Sequence, residues 1–257
     1  MRWKAIGKAI RGTSHLQSGK PCEDALRYAV VTSPFNGEEV LVCCISDGAG
    51  SAKYAAEASS LVTTKTVDYL SQQIRKGNEL AEADIISIAE QLYVDLNEIA
   101  TQRNEPLNEF SCTFLGCILF DTKSIFFQIG DGAIIRDDGN GNFVTVWWPQ
   151  NGEYSNTTAF LIDDHNFCKL KSVVVEGYVQ EVALFTDGLQ LLTLNNENLS
   201  VHQPFFTGMF KWLRMATKEE DINILDRKLA EYLDSDAINS RTDDDKTLFL
   251  ATRLSYA

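Results

Sequence analysis

Two long helical patterns interrupt a chain that otherwise consists mainly of short strand and turn patterns. The first helix is predicted at residues 52–74 and the second at 84–100, with apolar side chains every three or four positions. A strand hairpin is predicted before this helix pair, at 26–32 and 40–45, and further strands follow it. Because the helices come as a pair and do not alternate with single strands, the pattern favours an α+β fold over a parallel βαβ sheet.

The remaining predicted elements are strands, loops and C-terminal helices. Strands are predicted at 3–10, 112–120, 125–129, 133–136, 143–148, 171–175, 181–185 and 247–252, and helices at 205–216 and 222–233. Residues 12–20 are polar and contain glycine, which predicts a loop. Residues 149–166 form a long polar segment, which predicts a functional flap extending to about residue 170. Neither an internal repeat nor a linker divides the sequence, so residues 1–257 are predicted to form one domain.

Charge and composition exclude several classes of function. The net charge is −13, from 23 basic and 36 acidic residues, which disfavours binding to nucleic acid or to an anionic membrane surface. The N-terminal residues lack the continuous apolar core of a signal peptide, and no run of about 18 apolar residues could span a membrane. A cytoplasmic location is therefore expected. The 6 cysteines form no Cys-x-x-Cys pair, so neither a zinc site nor a disulfide framework is indicated.

Aspartates follow apolar strands at three places and are each succeeded by glycine. They are Asp47, Asp131 and Asp187, and two further acidic points lie at Glu23-Asp24 and in the acid triplet 243–245. An Asp-Gly pair is often only a turn, and any one of these sites could be no more than that. Together they suggest a cluster, because converging carboxylates repel one another unless cations lie between them. Hard oxygen ligands of this kind suit Mg²⁺ or Mn²⁺.

Other kinds of active site find less support in the sequence. Of the histidines His15, His165 and His202, only His15 is kept as a candidate, because it lies beside Glu23-Asp24, and no Gly-x-Ser-x-Gly elbow accompanies them. The glycines at 48 and 50 follow a strand and could suggest nucleotide binding. However, position 53 is lysine where the fingerprint needs a third glycine, and no P-loop lysine has the required spacing.

The order of the acidic motifs resembles that of the metal-dependent protein phosphatase family, PP2C, also called PPM. The motifs that carry the resemblance are GTSH at 12–15 with CEDA at 22–25, SDGAGS at 46–51, IGDG at 129–132, FTDGL at 185–189 and DDKT at 244–247. Each motif is weak alone, whereas their order and spacing are fairly specific and extend through nearly the whole chain. The opening motifs are similar to those of a bacterial branch of the family.

The resemblance implies an αββα sandwich, in which helix pairs flank two antiparallel sheets, and a centre of two Mg²⁺ or Mn²⁺ ions with a weaker third site. It implies that Asp47 bridges two ions, and that the Gly48 carbonyl, Asp187 and Asp244 complete the ligands of the first ion. The second ion would be held by Glu23, with Asp24 in the outer shell. The third would be held by Asp131 and Asp187. Catalysis would depend on Asp47, Asp187 and Asp244, through a metal-bridged water that attacks the phosphate of phosphoserine or phosphothreonine.

Two departures from the family pattern affect the expected chemistry. Gly19 occupies the position of an arginine that binds the substrate phosphate in many relatives, so Lys20 or His15 is expected to contact the phosphate. Ala49 occupies the position of a histidine that is a candidate proton donor in many eukaryotic relatives. These departures leave an alternative open, a weakly active or inactive regulatory module that binds a partner. For the enzyme, a phosphorylated protein substrate, a cognate serine/threonine kinase and a monomeric state are expected.

Overall fold

The computed structural model describes residues 3–149, 158–163, 165 and 167–253. Its strands are β1 (Trp3–Ile10), β2 (Ala25–Thr32), β3 (Glu39–Ser46), β4 (Phe114–Leu119), β5 (Lys123–Ile129), β6 (Ala133–Asp137), β7 (Phe143–Thr145), β8 (Lys171–Glu176), β9 (Glu181–Phe185), β10 (Leu194–Asn195), β11 (Ser200–Val201) and β12 (Lys246–Arg253). Its helices are α1 (Thr13–Ser18), α2 (Ala55–Arg75), α3 (Glu82–Arg103), α4 (Gln190–Thr193), α5 (Gln203–Met215), α6 (Glu219–Leu233) and α7 (Asp236–Asn239).

The chain divides into two compact units that alternate along the sequence. Unit 1 comprises Met1–Cys22, Gly132–Trp148 and Val179–Ala257, and unit 2 comprises Glu23–Asp131 and Pro149–Tyr178. Each unit contains one five-stranded antiparallel sheet and its own hydrophobic core. The two antiparallel sheets with helices confirm the predicted α+β class. That residues 1–257 form a single domain stays a prediction.

The sheet of unit 2 has the strand order β2-β3-β4-β5-β8, and all its neighbours are antiparallel. Every side chain from Val40 to Ser46 in β3 is buried, which agrees with the uninterrupted apolar run in the sequence. Helix α2 packs on β2 and β3, with Val62, Val67 and Leu70 buried at helical spacing. Helix α3 packs beside it and on β8. This core fixes the end of β3, from which Asp47 extends.

The sheet of unit 1 has the strand order β1-β12-β9-β6-β7. Its core joins the sheet to α5 and α6, and aromatic rings form much of the contact. Phe143 of β7 stacks on Phe210 of α5 with 5.0 Å between ring centroids, and Phe185 of β9 packs against Phe206. Offset ring pairs of this kind stabilise a core beyond their buried area. Within this sheet, the antiparallel pairing of Phe185 with Leu248 holds the end of β9 beside the start of β12.

The predicted loop at 12–20 was wrong, because these residues contain helix α1. The helix follows Gly12 and ends at Gly19, whose φ of +75° is the left-handed conformation that commonly terminates helices. The backbone N–H of Ser14 and its hydroxyl both donate to the carbonyl of Asp243, at 2.9 and 2.7 Å. A partner 229 residues away therefore stabilises a helix that local composition does not predict.

The strand predicted at 143–148 is shorter in the structure, where β7 ends at Thr145. The ladder of β7 with β6 ends where Thr145 lies opposite Ile135, and the N–H of Val146 makes one further bond to the carbonyl of Ile134 at 2.8 Å. The apolar pattern of the sequence continues to Trp148, but a strand also needs a paired neighbour, and this pairing stops at Ile135. Most of the flap predicted at 149–166 lies outside the described residues. None of the described helices is both long and apolar enough to cross a membrane.

Candidate metal centre

Asp47 lies directly after β3 in unit 2, and Thr113 holds its backbone. The N–H of Asp47 donates to the Thr113 hydroxyl at 2.8 Å, and the N–H of Thr113 donates back to the Asp47 carbonyl at 2.8 Å. The Ser46 hydroxyl adds a bond to the Thr113 carbonyl at 2.5 Å. Thr113 is only 1% exposed. A buried threonine thus fixes the direction in which the Asp47 side chain leaves the strand.

Gly48 is required by a close approach between this turn and α2. A Cβ atom at position 48 would lie 2.8 Å from the backbone of Ala55, well inside van der Waals contact. The N–H of Gly48 donates to the Glu23 carbonyl at 3.1 Å, and the Ser59 hydroxyl donates to the same carbonyl at 2.6 Å. The side chains of Glu23 and Asp24 are both buried. The backbone of Glu23 is therefore anchored beside the Asp47 turn.

Asp131 follows β5 and lies close to Asp47. The two carboxylates each offer an oxygen, and these atoms lie within 4.8 Å of one another. Gly130 has a φ of +113°, and a Cβ there would lie 2.5 Å from the Thr113 side chain, so the turn that carries Asp131 requires glycine. The Thr158 hydroxyl donates to Asp131. Unit 2 thus brings two of the predicted ligands into one acidic pair, whose spacing and oxygen donors fit a hard divalent cation.

Unit 1 brings Asp187 beside the acid triplet. Asp187 begins a single 3₁₀ turn after β9, and it is partly exposed. A Cβ on Gly188 would lie 2.1 Å from the carbonyl oxygen of Asp245 and 3.5 Å from Cβ of Asp244. Only glycine allows the two loops to approach so closely. Two predicted ligands from distant parts of the chain therefore lie on neighbouring loops.

The acids at 244 and 245 differ in their surroundings. Asp244 keeps much of its surface exposed, yet desolvation of its carboxylate raises its pKa, and the negative charge of Asp245 adds to the rise. Asp245 is 3% exposed. Its Oδ1 accepts the N–H of Gly12 at 2.6 Å, and its Oδ2 lies 3.0 Å from Nδ1 of His15. Asp245 thus positions α1, whereas Asp244 keeps an oxygen accessible for a cation.

Of the residues predicted to contact a phosphate, His15 lies within α1 and Lys20 follows its C-terminal end. His15 is held by Asp245, and Lys20 follows the terminating Gly19 with its carbonyl accepting from Nη1 of Arg11 at 3.2 Å. The φ of +75° at Gly19 disfavours any side chain at this position, which gives a physical reason for the missing arginine.

Lys246 was not among the residues predicted to contact a ligand. It is fully buried, and its ammonium donates to Oδ1 of Asn239 at 2.6 Å.

Ala49 fills the position of the missing histidine with an apolar contact. It is buried in a small cluster with Ala52, Ala55 and the ring of Phe160. Its N–H donates to the Ser111 carbonyl at 2.9 Å. The side chain at position 49 can therefore neither donate nor accept a proton.

Replacement of Thr113 by valine tests the support of Asp47. Valine keeps the shape but removes the acceptor for the Asp47 N–H, which we expect to cost about 1–3 kcal/mol of unfolding free energy. Because Asp47 loses its fixed direction, we expect the metal-dependent phosphate hydrolysis that the motif resemblance implies to slow about 10–100-fold, as for outer-shell changes at metal sites. Chemical denaturation and steady-state kinetics would measure both effects. Thr63→Val is the matched control, since its hydroxyl donates to the carbonyls of Ser59 and Ser60 within α2, and it should leave the rate unchanged. Equal rates for both variants would refute this role of Thr113.

Comparison with known proteins agrees with this arrangement of motifs. A family model described as protein phosphatase 2C matches residues 11–234. The chain is 35% identical over 257 residues to serine/threonine-protein phosphatase 3 of Escherichia coli (strain K12), with 98% of each chain covered.

Solved structures show the same fold. The serine/threonine phosphatase Stp1 from Staphylococcus aureus superposes with a TM-score of 0.61 at 16% identity, over 99% of this chain and 96% of that one. The S. agalactiae serine/threonine phosphatase superposes with a TM-score of 0.63 at 14% identity, over 98% and 100%. These likenesses confirm the predicted PP2C-like fold. On the match to the family model and the relative of 35% identity, the chain belongs to the protein phosphatase 2C family.

Proposed function

We propose that this family member removes phosphate from phosphoserine and phosphothreonine in proteins, with divalent cations held by its strand-end carboxylates. The observation that carries the proposal is the acidic pair of Asp47 and Asp131, with oxygens within 4.8 Å, in a chain whose relative is named a serine/threonine-protein phosphatase. Two carboxylates at this distance repel one another in the absence of a cation. Their oxygens are the ligands that Mg²⁺ and Mn²⁺ prefer.

We assign the ligands by combining the family pattern with the local geometry of each unit. In unit 2, Asp47 and the Gly48 carbonyl would hold the cations, Glu23 would bind a second ion and Asp24 would support it from the outer shell. In unit 1, Asp187 and Asp244 would complete the protein ligands of the first ion. The loop contact between Gly188 and Asp245 supports pairing Asp187 with Asp244, because it brings their loops together.

The proposed centre would contain two ions of Mg²⁺ or Mn²⁺, and Asp131 and Asp187 would hold a weaker third ion. When bound, these cations act as Lewis acids that lower the pKa of water and neutralise the charge of the phosphate. The protein's own contribution is to fix the carboxylates on rigid strand ends, so that little reorganisation is needed during the reaction. Thr113 provides this rigidity for Asp47 through its hydrogen bond to the Asp47 backbone, and Asp245 holds α1 through its bond to Gly12.

His15 and Lys20 are our proposed contacts to the substrate phosphate. The contact with Asp245 orients the His15 ring, and Lys20 supplies a positive charge at the end of α1. A lysine is a point charge and lacks the two-pronged geometry of an arginine, so orientation of the phosphate would depend more on the cations. We further propose a cytoplasmic, monomeric enzyme that works opposite a serine/threonine kinase.

A set of phosphopeptides tests the proposed substrate class. With Mn²⁺ present, we expect the protein to hydrolyse phosphothreonine and phosphoserine peptides, and to hydrolyse a phosphotyrosine peptide of the same sequence at least about tenfold more slowly, a difference of about 1.4 kcal/mol in transition-state binding. Phosphate release measured under steady-state conditions gives kcat/KM for each peptide. Faster hydrolysis of phosphotyrosine would contradict the assignment. The absence of turnover on all three peptides would instead favour the partner-binding module suggested by Gly19 and Ala49.

A further inference from the structure

An open apolar groove lies between α5 and α6 in unit 1, and the phosphatase function does not use it. A cavity of about 590 Å³ is lined by Phe205, Met209 and Trp212 of α5 and by Leu225 and Tyr232 of α6, among others. A second cavity of about 350 Å³ shares Phe205 and Tyr232 with the first and continues toward α7. The two cavities therefore adjoin at Phe205 and Tyr232, and together they are called the groove below.

Large side chains in this groove are left in contact with water. Trp212 is 60% exposed, Tyr232 is 39% exposed, and Met209 is partly exposed. Scattered exposed apolar residues are ordinary, but a contiguous set that lines a concave surface is typical of a binding site. Tryptophan, tyrosine and methionine are also residue types that are enriched where proteins contact one another.

Gly208 is an independent sign that the groove is kept open. It lies inside α5 and lines the groove, although glycine in a helix costs about 1 kcal/mol relative to alanine. A Cβ at this position would have no atom within 4 Å. Packing within the described protein therefore does not require glycine here, and any side chain would project into the open space of the groove.

The charges of the groove are positive in a strongly acidic chain. Lys228 lines the larger cavity and Arg241 lines the smaller one. Among the described residues that line these two cavities, none carries a carboxylate. The whole chain has a net charge of −13, so the groove departs from the general electrostatic character of the protein. Complementary charge at its edges would favour an anionic occupant.

The dimensions of the groove indicate what kind of occupant fits. The anchors Phe205, Met209 and Trp212 are spaced at four and three residues along α5, a distance of about 10 Å at 1.5 Å per residue. A second helix with apolar side chains at i, i+4 and i+7 matches this length, as in known helix-in-groove complexes. The high exposure of Trp212 and Tyr232 indicates a shallow groove, which suits a helix better than a small molecule that must be enclosed.

We propose that this groove binds an acidic amphipathic helix of a partner protein. Its apolar face would cover Phe205, Met209 and Trp212, and its carboxylates would lie near Lys228 and Arg241. The site is a docking surface that acts by binding alone. It does not depend on the metal centre, so it would operate whether or not the proposed catalytic assignment holds.

A pair of designed peptides tests the proposal by fluorescence anisotropy. One labelled 14-residue peptide carries leucine at i, i+4, i+7 and i+11 with glutamate on its polar face, and the other replaces the glutamates by lysines. We expect the acidic peptide to bind the full-length protein at least about tenfold more tightly than the basic one, equivalent to 1.4 kcal/mol. Gly208→Leu should lower the affinity for the acidic peptide at least about tenfold, because the leucine side chain would fill the groove. Lys228→Glu should lower this affinity as well.

Controls distinguish binding in the groove from nonspecific apolar binding and from binding of other occupants. Ile224→Ala removes an exposed apolar side chain of the same helix α6 that lines neither cavity, and it should bind like the wild type. Leucine is a good helix former, so the melting curve of Gly208→Leu should show an intact fold. Equal affinity for both peptides, or unchanged affinity in a folded Gly208→Leu variant, would overturn the proposal. Self-association of the wild type that Gly208→Leu abolishes would overturn it as well, because the groove would then hold a second copy of the chain.

Discussion

Replacement of Asp187 by asparagine is expected to lower the metal-dependent phosphatase rate about 10³-fold or more. The aspartate follows a rigid strand, and the close approach of Gly188 to Asp245 places its loop beside that of Asp244. Asparagine keeps the size of the side chain but removes the negative charge that would bind a cation. A metal ion contributes several kcal/mol of transition-state stabilisation, and each 1.36 kcal/mol corresponds to a tenfold change in rate.

Asp243→Asn is the matched control for this experiment. Asp243 is an exposed acid in the same triplet as Asp244 and is not among the proposed ligands. Its backbone carbonyl, which accepts the bonds from Ser14, is unaffected by the substitution. We expect its kcat/KM to stay within about twofold of the wild type, since a surface charge contributes little. If Asp187→Asn retained full activity, or if both variants lost activity equally, the ligand assignment in unit 1 would be wrong.

Replacement of Gly188 by alanine is expected to have the second largest effect. The added Cβ would lie 2.1 Å from the Asp245 carbonyl oxygen, and a backbone atom cannot move aside as the end of a flexible side chain can. Overpacking of this kind costs about 1–3 kcal/mol or more, which lowers the melting temperature of a protein of this size by roughly 2–4 °C per kcal/mol. Because the loops of Asp187 and Asp244 would separate, we also expect most of the activity to be lost.

Gly50→Ala provides the comparison for Gly188→Ala. Gly50 is exposed, and a Cβ there would have no atom within 4 Å. Calorimetry should therefore give a melting temperature close to that of the wild type for Gly50→Ala and a clearly lower one for Gly188→Ala. Equal melting temperatures would show that the two loops of unit 1 can separate at little cost, against the packing described above.

The sequence predicted best those features that local patterns determine. The helical spacing before Gly77 correctly indicated α2, and the apolar run before Asp47 correctly indicated β3. The strand-end aspartates could be found because Asp-Gly follows an apolar strand at 47, 131 and 187. Such features depend on neighbouring residues, so their physical cause is visible in a short window of sequence.

The features that the sequence did not predict depend on contacts between distant residues. Thr113 supports Asp47 across 66 positions of the chain, and Asp245 holds Gly12 across 233. No periodicity marks a threonine that accepts one backbone hydrogen bond. Helix α1 was missed for the same reason, since Asp243 stabilises it from the other end of the chain. Asp244 and Asp245 cannot be told apart by their sequence context. Only their different burial distinguishes Asp244, the candidate ligand, from Asp245, which holds α1.

The most direct test of the account is the metal dependence of the wild-type protein. Hydrolysis of a phosphothreonine peptide would be followed with Mn²⁺, with excess chelator, and again after Mn²⁺ is restored in excess over the chelator. We predict turnover with Mn²⁺, a fall to the background rate with chelator, and full recovery when Mn²⁺ returns. Turnover that the chelator leaves unchanged, or no turnover with either Mn²⁺ or Mg²⁺, would contradict the proposal that carboxylate-held cations carry the chemistry.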